Sequence, residues 1–150
     1  MTLYQLAERF VGEIVERPGA SDHPFIVWCH ESCGREDAPD EIPWCSAFLN
    51  RLAWLLRLPR SKSAAARSWL TVGVPIALAE ARVGSDVVIL QRGVGIQPGP
   101  EVTSGASGHV GLFAGSDGAW VLILGGNQAN GVTIARYRVA SVLGVRRLSV

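Results

Sequence analysis

The first half of the chain carries apolar residues at the three- and four-residue spacing of amphipathic helices. Thr2 and Gln5 form a capping-box pattern before the first such segment, and Pro24 occupies the first helical position of the second. Ser61 or Ser63 is placed to cap the last segment. We expect four helices, over residues 3–14, 24–33, 44–57 and 64–69.

Short runs rich in β-branched residues replace the helical pattern from Asp86 onward. Turn-forming sequences at residues 116–118 and 130–131 separate three of these runs. We expect five strands, over residues 87–90, 109–114, 119–124, 132–139 and 145–150. Helices followed by antiparallel strands predict an α+β fold, with the N-terminal helices packed on a C-terminal sheet.

A glycine-rich connection over residues 93–108 leads directly to His109. Long ordered loops in small domains are often binding loops, and simple flexibility is the alternative. The spacing of its glycines does not match the phosphate-binding pattern of a dinucleotide fold. The connection therefore points to a site near His109 without naming a ligand.

The length and composition of the chain limit its organisation. With 150 residues, 48% of them hydrophobic, it can bury one core, so we expect a single domain over residues 1–150. The longest apolar run, residues 119–124, is too short to cross a bilayer. Glu8, Glu13 and Glu16 stand where a secretory leader would be basic and then apolar. We expect neither a membrane span nor a signal peptide.

Charge is divided unevenly along the chain, although the net charge is only +1. Residues 1–42 hold nine acidic and three basic side chains, whereas residues 43–150 hold four acidic and eleven basic ones. Two solvated faces that attract each other explain this division, and a basic surface for an anionic polymer is the alternative. Such a surface would use Arg136, Arg138, Arg146 and Arg147. No interleaved aromatic pattern accompanies these arginines, so we do not expect nucleic-acid binding.

Three cysteines are too few, and odd in number, for a disulfide scaffold, which favours a reducing cytoplasm. Cys29 and Cys33 lie one helical turn apart beside His30, a spacing that suggests a metal or redox site. Two further ligands at a familiar zinc spacing are missing. We therefore interpret Cys29 and Cys33 as structural and expect no metal and no organic cofactor.

Cys45, His109 and Asn127 form the candidate catalytic group. A thiol is mostly protonated at neutral pH, so it needs an imidazole to take its proton and a polar group to fix the imidazole tautomer. Cys45 stands where the third helix begins, and a helix start favours thiolate. His109 opens a strand on the face opposite Val110, with Gly111 beside it. We hypothesise a cysteine hydrolase.

Each member of this group has a structural alternative. Cys45 could be an ordinary buried cysteine packed with Phe48 and Leu49, and a single histidine is more often structural. An asparagine that follows two glycines is typical of a turn. Gln128, the next residue, is the alternative third member.

Four segments in order resemble the small cell-wall hydrolases of the CHAP and NlpC/P60 superfamily, in particular a phage- and prophage-associated branch. They are residues 40–48 (Asp-Glu-Ile-Pro-Trp-Cys-Ser-Ala-Phe), 65–70 (Ala-Ala-Arg-Ser-Trp-Leu), 108–111 (Gly-His-Val-Gly) and 124–128 (Leu-Gly-Gly-Asn-Gln). The resemblance runs from His23 to the last strand. It implies a papain-like α+β fold that cleaves amide bonds in peptidoglycan.

By that resemblance Cys45 is the nucleophile, His109 the base and Asn127 the orienting residue. Asp40, Trp44 and Gln128 are the residues expected to contact the substrate, and compensation of the helix dipole is the alternative role of Asp40. The substrate would be bacterial peptidoglycan. Production in the bacterial cytoplasm and action in the periplasm or at the wall would follow. A phage particle or a holin-dependent release pathway would be the partner.

Two other functions remain open from the sequence. A domain with this fold could be a non-catalytic phage structural or wall-binding part. It could also be a secreted antibacterial amidase effector or a cysteine acyltransferase. The bond that is cut, whether the sugar-to-peptide amide, a stem peptide bond or a cross-bridge, is not encoded in the motifs.

Overall fold

The structure, a computed structural model, describes residues 1–17, 22–35 and 43–149. Three α-helices are present in this part of the chain: α1 (Leu3–Glu8), α2 (Pro24–Glu31) and α3 (Cys45–Leu55). Three short 3₁₀ helices follow, at Ala66–Thr71, Leu78–Glu80 and Val139–Ser141. Six strands complete the fold: β1 (Val74–Ile76), β2 (Asp86–Gln91), β3 (Gly108–Asp117), β4 (Trp120–Gln128), β5 (Gly131–Arg138) and β6 (Val142–Arg147).

The strands form one antiparallel sheet in the order β1-β6-β2-β3-β4-β5. Strand β2 is buried on both faces because its side chains alternate between two apolar clusters. Val87 and Ile89 join the cluster that contains the helices, and Val88 and Leu90 join the cluster on the opposite face. The predicted α+β arrangement with an antiparallel sheet is confirmed.

Several predicted elements differ from the observed ones. Helix α1 has the expected capping box but ends at Glu8, because Gly12 adopts a φ of 78° and the chain turns towards the sheet. There Val15 bridges to Gly131 of β5. The fourth helix is a 3₁₀ helix without a side-chain cap, so the capping role predicted for Ser61 or Ser63 is wrong. Strand β1 is missed, and its three residues carry no alternating pattern that could have predicted it.

Ser61 and Ser63 instead belong to a hydrogen-bond network around Asn50 of α3. The Asn50 amide donates to Ser61 Oγ and to the Ser63 carbonyl, each at 3.2 Å. The amide of Lys62 donates to Asn50 Oδ1 at 2.7 Å. Buried polar groups require such partners, and here they hold the loop after α3 against the helix.

Trp44, the residue before α3, lies in the core and fixes the start of this helix. Its ring is 0% exposed, and its indole N–H donates to Glu16 Oε1 at 2.7 Å. Gly126 of β4 leaves room for the ring, since a Cβ there would lie 2.5 Å from Trp44 Cζ3. The side chain therefore connects the N-terminal segment, α3 and β4 directly beside Cys45.

The four arginines of the predicted basic surface are largely engaged within the fold. The guanidinium groups of Arg136 and Arg138 lie over the Trp120 ring, at 4.3 and 4.9 Å from its centroid. Arg147 forms an ion pair with buried Asp86 at 2.7 Å. These contacts favour the interpretation of the charge division as structural. None of the helices in the described residues is long and apolar enough to span a membrane.

The contact between Gly126 and Trp44 predicts a large stability difference between two glycine substitutions. Gly126→Ala should lower the free energy of unfolding by about 1–3 kcal/mol, because the buried ring cannot move aside. Gly144→Ala is the control, since its Cβ would meet only the tip of Leu70, at 3.0 Å. Urea unfolding followed by circular dichroism measures both. Equal loss in the two variants would contradict this account of Trp44.

Candidate functional site

Cys45 is the first residue of α3, as the sequence predicts, and its side chain is 4% exposed. It opens onto a cavity of about 270 Å³ lined by Pro43, Arg92 and the small residues 64–66 and 106–108. No side chain of the described residues caps the start of α3. The first backbone N–H groups of α3 therefore have no side-chain acceptor among the described residues.

His109, at the second position of β3, is held by Gln128 at the end of β4. His109 Nε2 lies 2.8 Å from Gln128 Oε1. The Gln128 amide nitrogen donates to the carbonyls of Thr133, at 2.8 Å, and Ile123, at 3.2 Å, which fixes its oxygen towards the imidazole. Because an amide oxygen only accepts hydrogen bonds, His109 Nε2 carries the proton. The neutral imidazole is thus the tautomer whose Nδ1 can accept a proton.

Tyr137 of β5 supports the same pair from the side. Its hydroxyl donates to Gln128 Oε1 at 3.1 Å, and its ring centroid lies 5.3 Å from that of His109. Burial raises the pKa of this hydroxyl to about 12, so it remains a donor at every pH of interest. Nothing in the sequence indicated this role, which depends on the pairing of β4 with β5.

The Cys45 thiol lies on α3, which faces β3, and the backbone N–H of Val110, the residue after His109, acts to lower its pKa. Among the described residues, no hydrogen bond joins the thiol directly to the imidazole. Hydrogen bonds between catalytic groups are often long in a free enzyme and shorten when substrate binds. The thiol and the imidazole thus lie on two elements that pack against each other, α3 and β3.

Burial decides the protonation of this pair. It raises the pKa of the Cys45 thiol above its ordinary value, although the N–H groups of Val110 and Ser46 and the charge of Arg92 act in the opposite direction. Burial also lowers the pKa of His109, against the effect of the Gln128 hydrogen bond. Both directions favour the uncharged forms, thiol and neutral imidazole. Burial therefore opposes the effect by which a helix start favours thiolate.

Gln128, the alternative third member, and not Asn127, is the residue that hydrogen-bonds His109. The pairing of β4 with β5 shifts register between Gly125 and Gln128. Asn127 sits in this irregularity with a left-handed φ of 57°, as expected of an asparagine in a turn. The irregularity directs the Gln128 side chain towards β3.

Of the residues expected to contact substrate, Gln128 lies at the site, where it contacts the imidazole. Trp44 does not present its ring to the cavity, and its predicted role in substrate binding is corrected to core packing, because the indole is wholly buried. Asp40 lies outside the described residues, as does its neighbour Glu41.

Arg67 is a further residue that sequence reasoning missed. Its fully buried guanidinium donates to four backbone carbonyls of the glycine-rich connection, at 2.8–3.1 Å: those of Pro98, Gly99, Val102 and Ser107. The connection is thereby ordered, and its last residues become a wall of the cavity. A charged side chain between alanines and Trp69 was the available signal.

Cys29 and Cys33 lie on and just after α2, away from the cavity. Cys29 is fully buried, and burial raises its pKa well above the ordinary range. Burial raises the pKa of half-buried Cys33 as well. Within residues 1–17, 22–35 and 43–149, no group of three or more histidine, cysteine or acidic side chains is placed to hold a metal ion.

The hydrogen bond between His109 and Gln128 predicts how two neighbouring substitutions should differ. Nitrogen-15 NMR should show the Nε2-protonated tautomer of His109 in the wild type, with a pKa below the ordinary value of a histidine because of burial. Gln128→Ala should produce a mixture of tautomers, because the fixed acceptor is lost. Asn127→Gly should leave the spectrum unchanged, since glycine adopts the same φ without strain. A tautomer change in Asn127→Gly alone would return the orienting role to Asn127.

None of the protein-family models, curated proteins or solved structures compared with this chain gives a significant match. Its function is therefore inferred from the site itself: a thiol at a helix start, an imidazole of fixed tautomer, and a small cavity beside them.

Proposed function

We propose that this chain is a cysteine peptidase or amidase that cleaves an amide bond of bacterial peptidoglycan through an acyl-enzyme on Cys45. The observation that carries the proposal is the 2.8 Å contact between His109 Nε2 and Gln128 Oε1, which leaves Nδ1 as the ring nitrogen that can act as a base. Substrate class comes from the resemblance to the CHAP and NlpC/P60 superfamily. A helix that begins with the cysteine and packs on an antiparallel sheet supports a papain-like fold.

Acylation begins when Cys45 Sγ attacks the carbonyl carbon of the substrate while its proton passes to His109 Nδ1. The resulting oxyanion accepts hydrogen bonds from backbone N–H groups at the uncapped start of α3. The imidazolium then gives its proton to the leaving nitrogen, and the carbon–nitrogen bond breaks. A thioester on Cys45 and a free amine result.

Deacylation repeats these steps with water as the nucleophile. His109 Nδ1 takes a proton from water as the water oxygen attacks the thioester carbonyl. Collapse of the second tetrahedral intermediate breaks the carbon–sulfur bond, and the imidazolium returns its proton to the thiolate. Gln128 keeps the same imidazole nitrogen facing the reaction throughout. The carboxylic acid leaves, and the resting thiol is restored.

The resemblance also carries a biological setting. A chain of this kind would be made in the bacterial cytoplasm and would act in the periplasm or at the wall, as a phage endolysin or virion-associated lysin. The arginines of β5 and β6 are engaged by Trp120 and Asp86, so wall recognition would depend on the cavity rather than on a free basic face.

Substitution of Cys45 separates an enzyme from a wall-binding domain. Wild-type protein should release soluble muropeptides and new amino groups from purified sacculi, and EDTA should not stop it. Cys45→Ser should abolish release while the circular dichroism spectrum stays unchanged, and His109→Ala should lower the rate on the order of 10²–10⁴-fold. Cys33→Ser is the matched control and should keep full activity. Tight binding to sacculi without products from the wild type would favour a binding role.

The directions in which burial shifts the pKa values of His109 and Cys45 predict the pH profile of kcat/KM. The base works only when neutral, so activity is lost as pH falls through the His109 pKa, which burial holds below the ordinary value of a histidine. The thiol must carry the proton that later reaches the amine, and burial raises its pKa above the ordinary value of a cysteine. We expect a plateau between these limits, with slow alkylation of Cys45 by iodoacetamide across it. An acidic limb well above pH 6.5, or rapid alkylation at pH 6, would contradict the neutral pair.

A further inference from the structure

Arg92 is the one charged side chain among the described residues that line the Cys45 cavity. The other lining residues are Pro43, Cys45 itself and the small residues 64–66 and 106–108, which carry no ionisable side chain. No described acidic side chain offsets the guanidinium there. The described wall of the cavity beside the nucleophile therefore carries a single positive charge among small and mostly apolar side chains.

The position of Arg92 leaves its donors available to a ligand. It follows β2 directly, its side chain is exposed, and no described residue forms a hydrogen bond or an ion pair with it. Arg67 is the contrast within the same wall, because its guanidinium is buried and wholly bonded to main-chain carbonyls. Arg67 orders a wall of the cavity, and Arg92 lines the cavity itself.

The charge of Arg92 also reaches the catalytic groups. It acts to lower the pKa of Cys45, that of His109 and that of Tyr137. Arg92 and Cys45 line the same cavity, so a ligand group held by Arg92 would lie beside the carbonyl attacked by Cys45. Guanidinium groups bind carboxylates through two parallel N–H···O hydrogen bonds, which fixes direction as well as charge.

We propose that Arg92 is a specificity-determining residue that binds a carboxylate of the substrate adjacent to the scissile amide. The inference rests on the proposed function and narrows it: the substrate is an amide whose neighbouring carboxyl group is free rather than amidated. Acidic stem peptides of peptidoglycan offer such carboxylates. The small side chains of residues 64–66 and 106–108 leave room for the peptide backbone, so the orientation of the substrate depends on Arg92.

Mass spectrometry of sacculus digests first identifies the bond that is cut. The test then uses two synthetic stem peptides that contain this bond and differ in one group only. In one peptide the carboxyl group next to that bond is free, and in the other it is a primary carboxamide. The wild type should prefer the free carboxylate by about 10- to 100-fold in kcat/KM, the size expected of a charged hydrogen bond.

Variants show whether Arg92 causes this preference. Arg92→Gln should remove the preference, because the carboxylate peptide loses far more of its kcat/KM than the carboxamide peptide does. Any change that loss of the charge makes in the pKa values of Cys45 and His109 affects both peptides equally. Arg92→Lys should retain part of it, because the charge remains and the paired donors are lost. Arg82→Gln, an exposed arginine before the opposite end of β2, should behave as the wild type.

Three outcomes would overturn the inference. Equal cleavage of both peptides by the wild type would refute it while leaving the proposed function intact. An equal loss on both peptides in Arg92→Gln would show that the arginine acts on the thiol or the oxyanion rather than on the substrate carboxylate. Cleavage of neither peptide, together with no release from sacculi, would refute the proposed function and this inference together.

Discussion

The indole of Trp44 occupies the space between α3 and β4, and the position of the nucleophile follows from it. Its N–H is bonded to Glu16, and its ring lies against the bare backbone of Gly126. Cys45 is the next residue in the chain. A side chain this large and this buried permits little displacement, because protein interiors are packed as densely as organic crystals. The thiol is therefore placed by core packing rather than by any group that takes part in chemistry.

Three buried polar side chains hold the other parts of the site in place, and each of them bonds to main-chain carbonyls. Asn50 holds the loop after α3, Arg67 holds the glycine-rich connection, and Gln128 holds the imidazole. Removal of one of these side chains would leave a buried partner without its hydrogen bond, which lowers the free energy of unfolding by about 1–3 kcal/mol. Such groups stabilise a single arrangement of loops that an apolar core alone would leave undetermined.

The sequence predicts those elements in which apolar residues recur with a regular period. The prediction fails where a single residue changes the direction of the chain. The spacing of apolar residues located α3 and the five longer strands, because burial on one face imposes a period. It could not locate β1, which is three residues long, or the early end of α1, which depends on the φ of Gly12.

The candidate site divides in the same way. Cys45 and His109 stand at the starts of regular elements, so their positions could be predicted from the pattern around them. Whether Asn127 or Gln128 faces the imidazole depends on a register shift in β4, and a shift of one residue reverses the face on which a side chain lies. Arg92 and Tyr137 reach the site only through sheet pairing and the course of a loop, which leave no local signal in the sequence.

Strand β5 forms one edge of the sheet, and this has a consequence for how the protein loses activity. Thr133 and Tyr137, both on β5, supply the acceptor and the donor that hold the Gln128 amide. Edge strands open by local fluctuations that require less free energy than global unfolding. Transient detachment of β5 would release Gln128 and allow the imidazole to exchange tautomers while the core stays folded. Hydrogen exchange at the β5 amides would thus report the lifetime of the organised site separately from that of the fold.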